Sequence, residues 1–252
     1  MEEESPKIGW VQSLFLRKPL RDGAMDAYII NLVKELRVGR ILSVQRYSFL
    51  SRKIRASLTF YIRRLARLAG DPDWHKWEVW SSHQGLIVQD ASSAEWGVAE
   101  SIPKGAVVTP WSAYERDIRS GACKVRVYEV MDAPSTAGVQ AQSNWYATVK
   151  GHVYDWLAYF RLLIKNLLID FSDINPSNKF KQWLKWFGDK AAGWEWANWC
   201  TEGVGESYID DPPKIDIYQT KNPTPATHEQ VAGELPRKAG KKTTLRRIEI
   251  PA

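Results

Sequence analysis

Asn198-Trp199-Cys200-Thr201-Glu202-Gly203-Val204 sets a thiol where aromatic-rich sequence, Trp194-Glu195-Trp196-Ala197-Asn198-Trp199, gives way to a short helical stretch. Asparagine is a good N-cap, so Asn198 predicts Cys200 in the first turn, among backbone N–H groups with no intrahelical partner. The positive end of a helix dipole stabilises a thiolate, the form of cysteine that attacks carbonyl carbon. A buried cysteine is more often a small hydrophobe without chemistry, so Cys200 gains weight only with a partner. Far upstream, Ser81-Ser82-His83-Gln84-Gly85-Leu86-Ile87-Val88 offers one: a histidine at the mouth of an apolar strand.

Thiol catalysis needs a base to hold the thiolate and a third group to orient that base. The chain has four histidines. His75 lies beside a turn, His152 precedes a helix, and His228 falls in a proline-rich stretch. His83 alone enters an apolar strand, a rigid mount for a base. The next strand, Trp96-Gly97-Val98-Ala99-Glu100-Ser101, puts Glu100 in position to face it. A lone glutamate in a strand is usually solvated, and Ser101 and Gln84 are the polar neighbours that could take its place.

Working outward, 252 residues suffice for one large domain or two small ones. Hydrophobic content of 44% with 25% charged residues fits a globular protein. Thirteen tryptophans point to an aromatic cleft or surface, and the net charge of +6 tolerates anionic partners. The start, Met1-Glu2-Glu3-Glu4-Ser5, is acidic and unlike a secretory leader, and no apolar run approaches a membrane span. The expected location is therefore cytoplasmic; a cell-wall substrate, where a family resemblance implies one, adds carriage in a phage particle or lysis system. Cys123 and Cys200 are expected as free thiols.

In chain order, residues 1–23 read as an irregular lead-in. Met25, Tyr28, Ile29, Leu32, Val33 and Leu36 keep helical spacing, and Gly39 ends that helix before a strand over 40–45. A second helix carries Ile54, Leu58, Tyr61, Ile62, Leu65 and Leu68 on one face. Its other face holds Arg52, Lys53, Arg55, Arg63, Arg64 and Arg67, solvated or lying on an anionic surface. Strands are expected over 79–89, 96–101 and 106–109, then a helix over 111–118 opened by Pro110. The stretch 123–130 alternates strictly, turning Cys123 into the core. Helix is expected in the second half of 134–150 and over 153–169, with further helical turns near 180–187. Beyond 210, prolines and the basic residues Arg237, Lys238, Lys241, Lys242, Arg246 and Arg247 predict an extended or disordered arm. The expected organisation is lead-in 1–23, one domain 24–209 and a C-terminal arm 210–252.

The order "SSHQGLIV", "WGVAES", "GHVYDW", "NWCTEGV" resembles the circularly permuted NlpC-type papain-like cysteine hydrolases, over about residues 38–208. The resemblance implies an α+β fold, a papain-like antiparallel sheet packed against helices. It implies Cys200 as nucleophile, His83 as base and Glu100 as orienting acid, with Tyr154 and Asp155 as a supporting pair. Arg40, Thr201 and Gln84 depart from the family pattern, which bears on substrate choice. The implied activity is cleavage of an amide in a peptide or cell-wall peptide through a thioester, with the Cys200 N–H as oxyanion donor and no cofactor or metal. Acyl lipids are the substrates of other permuted relatives. A basic, tryptophan-rich protein binding nucleic acid or a membrane surface is the competing, non-catalytic reading.

Overall fold

The computed structural model describes residues 22–154, 197–198, 200–220, 223–236 and 240–251. Among these the architecture is α+β, built on a six-stranded antiparallel sheet. The strands are β1 (Ile41–Arg46), β2 (His83–Gln89), β3 (Trp96–Ile102), β4 (Gly105–Pro110), β5 (Cys123–Val130) and β8 (Leu245–Ile248). They lie in the order β4-β3-β2-β1-β5-β8. A separate two-residue parallel pair joins β6 (Val153–Tyr154) to β7 (Ala197–Asn198). The helices are α1 (Asp22–Lys34), α2 (Phe49–Leu68), α3 (Trp111–Arg119), α4 (Ala137–Asn144), α5 (Cys200–Ile209) and α6 (Pro225–Val231).

Both faces of the sheet are covered, which is why Leu86-Ile87-Val88 reads as a continuous apolar run rather than an alternating one. One face buries Leu42, Val44, Ile87, Val98 and Val127 against Ile29 and Leu32 of α1 and Tyr114 and Ile118 of α3. The other buries Ile41, Leu86 and Ala99 against Ala141, Trp145, Val204 and Tyr208, from α4, the π-helical turn Trp145–Val149 and α5. Cys123 is buried with the first cluster and unpaired, as its strand parity predicts. A third cluster sets Ile54, Leu58 and Ile62 of α2 over Val79, Cys200, Ala226 and Leu235. The two main layers meet where Gly39, at φ +84°, crosses Gly138. A Cβ on Gly39 would lie 2.1 Å from the Gly138 Cα, so only glycine fits.

Three expectations change. The helix expected over 153–169 does not begin at Val153, because Val153 and Tyr154 form β6. Residues 155–196, with Asp155 and the turns near 180–187, lie outside the described residues. The strand expected from 79 starts at His83: the Trp80 and Ser81 N–H groups donate to the Glu229 carboxylate at 3.0 and 2.7 Å instead of to a ladder. The expected C-terminal arm is part of the fold. Thr224 caps α6 through a reciprocal bond with Thr227, and Pro225 occupies the helix's first turn, where its missing N–H costs nothing. Further on, β8 pairs with the otherwise open edge of β5, with Ile248 opposite Val127 and Leu245 buried. The prolines mark a helix start, and the basic residues Arg246 and Arg247 pair with Glu129 and Glu234.

Candidate active site

The register places the site residues. In β2, His83 lies opposite Val44 and Gln84 opposite Ser43, so these consecutive side chains leave opposite faces of the strand. His83 turns toward Glu100 of β3, and its Nε2 lies 2.5 Å from Glu100 Oε2. The approach needs Gly85: a Cβ there would meet Val98 Cγ1 at 2.4 Å and Glu100 Cβ at 3.3 Å. Glu100 is almost wholly buried and fully engaged. Tyr114 donates to its Oε2 at 2.5 Å, and the Thr109 hydroxyl donates to its Oε1. Burial by itself would raise this carboxyl. The hydrogen bond and charge of His83, then Thr109 and Tyr114, outweigh it and hold Glu100 down at about 2. Tyr114 stays a donor, because burial and the Glu100 charge push its phenol well above the ordinary range.

Cys200 opens α5, and the helix is laid against the sheet by Gln84. The Thr201 hydroxyl donates to Gln84 Oε1 at 2.7 Å, while Gln84 Nε2 donates to the Ser81 hydroxyl at 2.8 Å. The strand that carries the histidine therefore also grips the helix turn that carries the thiol. Burial lowers the His83 pKa. The charge of nearby Cys200, with the hydrogen bond and charge of Glu100, overcomes this and raises it to about 9. With Nε2 committed to Glu100, Nδ1 is the nitrogen left for the sulfur. An imidazole held by a buried carboxylate can keep the proton that a nearby thiol gives up, which is what a thiol nucleophile requires.

Several details depart from the sequence reading. Asn198 belongs to β7, paired with Tyr154, so it is not the N-cap; the helix starts directly at Cys200. Of the supporting pair, Tyr154 pairs in β6 with Asn198, two residues before Cys200, and Asp155 lies outside the described residues. The expected cleft is closed: Cys200 is 2% exposed beneath Ile54, Leu58 and Ile62 of α2. Ser101 faces α5, where a Cβ on Gly203 would come within 3.3 Å of its hydroxyl, and it takes no part with His83. The basic face of α2 is largely turned to the 74–80 segment. Arg63 Nε donates to the Trp77 carbonyl at 2.7 Å, and Arg67 lies over the Trp74 ring.

No family model matches the chain, and no curated protein matches it in sequence.

Function must therefore be read from the side chains. Thr109 and Tyr114 went unnoticed in the sequence; only strand pairing could have pointed to Thr109, two positions beyond the Val107 that faces Glu100. Glu229 and His228 were hidden by their proline-rich setting, yet both are buried, His228 between the Tyr128 and Tyr218 rings. No group of three His, Cys, Asp or Glu side chains placed to hold a metal occurs among the described residues. No helix among them is long and apolar enough to cross a membrane.

Proposed function

We propose that the protein is a cysteine-nucleophile hydrolase, of the permuted NlpC-type papain-like kind its motifs resemble, with Cys200, His83 and Glu100 as its reacting group. The single observation that carries this reading is the buried His83–Glu100 contact of 2.5 Å, with Cys200 close enough for its charge to raise the imidazole pKa. The Cys200 sulfur attacks an amide carbonyl, and the His83 imidazolium gives its proton to the departing amine. Water then opens the thioester as His83 takes its proton, releasing the acid and the free thiol. The Cys200 N–H, at the helix start, is the oxyanion donor of this proposed reaction.

A peptide amide is the substrate class the resemblance favours. One observation favours an acyl lipid instead: Cys200 belongs to a buried apolar cluster with Ile54, Leu58, Ile62, Val79, Ala226 and Leu235. Either substrate requires the cover over the sulfur to open, because Cys200 is buried. Labelling with a thiol-directed electrophile followed by mass mapping tests the nucleophile. Modification is expected at Cys200 and not at Cys123, with turnover of acyl-peptide or acyl-lipid esters lost in Cys200→Ala. Retained turnover in that variant, or labelling confined to Cys123, would overturn the assignment.

A further inference from the structure

A second polar space lies away from the sulfur. It is a cavity of about 620 Å³ between α2, the 78–80 segment, the β1–β5 end of the sheet and α6. That is the size of a small-molecule site. Its walls carry four cationic side chains, Arg55, Lys124, Arg126 and Arg247, against Glu78, Glu234 and Glu229, the last with its pKa pushed up to about 7 by burial. Two of the cations are already engaged. Arg126 pairs with Glu234 at 2.9 Å and stacks 4.0 Å over the Trp80 ring, and Arg247 reaches the same glutamate at 3.7 Å.

Arg55 and Lys124 are different, for neither forms an ion pair among the described residues. Arg55 holds only a long 3.5 Å contact to the Trp80 carbonyl, and its Nε is buried with no hydrogen-bond partner among them. A guanidinium nitrogen removed from water without an acceptor is costly, and an oxyanion is the group whose geometry fits its fork. Glu229 closes the inner wall, its carboxylate already taken by the Trp80 and Ser81 N–H groups and the Ser81 hydroxyl.

We propose that this cavity binds a ligand through a carboxylate, held by Arg55 and Lys124. Two cations without an ion pair among the described residues suit a monoanion, whereas a phosphate monoester carries about −1.5 to −2 at neutral pH and would also face Glu78 and Glu234.

The test is titration of the Cys200→Ala protein, so that hydrolysis plays no part, with acetyl-Ala-Ala, its C-terminal amide and inorganic phosphate. Calorimetry and thermal shift report binding. Acetyl-Ala-Ala is expected to bind and raise the Tm, and the neutral amide is expected to do neither. Arg55→Gln should weaken binding about tenfold or more, and Lys124→Gln severalfold. Lys124 is exposed, so its variant keeps the test valid should Arg55→Gln fail to fold. Equal binding of the amide, tighter binding of phosphate than of acetyl-Ala-Ala, or unchanged affinity in Lys124→Gln would overturn the proposal.

Discussion

In the proposed reaction His83, Glu100 and Cys200 divide the work by chemistry, and substitution should separate their roles. His83→Ala removes the group that moves the proton and is expected to cost about 10²–10⁴-fold in kcat/KM. Glu100→Gln keeps a polar partner for the ring, so its loss should be the smaller; the reverse ranking would give Glu100 another role. The same pair sets a pH dependence. The His83 pKa, raised from 6.5 to about 9, means its stabilisation is complete below 6.5 and is lost as pH rises through about 9. Glu100 acts at the other end, contributing above 4.5 and losing its contribution as pH falls toward about 2. Urea midpoints measured across the alkaline range should fall between about pH 6.5 and 9. In Glu100→Gln the fall should begin at lower pH, because one source of the raised imidazole pKa is gone.

The strand and helix that hold these groups are joined by few but specific contacts. Gly85→Ala would drive a Cβ into Val98 Cγ1 at 2.4 Å, forcing β2 and β3 apart beside the His83–Glu100 bond. Overpacking of this kind costs about 1–3 kcal/mol, and here it should also reduce activity per folded molecule, measured by turnover after correction for the folded fraction. Gln84→Leu leaves the buried Thr201 hydroxyl without its acceptor, a loss of about 1–3 kcal/mol in denaturant unfolding. If α5 is held in place by this contact, the variant should also label more slowly at Cys200. A stability loss with unchanged labelling would confine Gln84 to a structural role.

Across the whole molecule, the segment beyond residue 220 closes the fold. Truncation after residue 220 removes α6 and β8, and with them the buried Val231, Leu235 and Leu245. At about 1.5–3 kcal/mol for each side chain, that burial is comparable with the whole stability of a typical domain, about 5–15 kcal/mol. The truncated protein is expected to lose its cooperative thermal transition by circular dichroism. A sharp transition near that of the full chain would restore the picture of a dispensable arm.

By itself the sequence determined the local periodicities and their direct consequences. Strict alternation over 123–130 places Cys123 inside. The helical spacing of Ile54, Leu58 and Ile62 gives α2 its buried face, and the apolar run after His83 marks a strand covered on both sides. These were legible because each depends on residues near one another in the chain. The tertiary structure alone decided what requires distant segments to meet. It set Thr109 and Tyr114 around Glu100, turned Gln84 into a grip on the Cys200 helix, and closed α2 over the sulfur. It also drew a proline-rich tail onto the edge of β5, because an open strand edge presents unpaired N–H and C=O groups that pair with any suitable strand within reach. Pro225 shows the reason in one residue: proline breaks a helix inside and starts one at its first turn, and only the surrounding fold selects between the two.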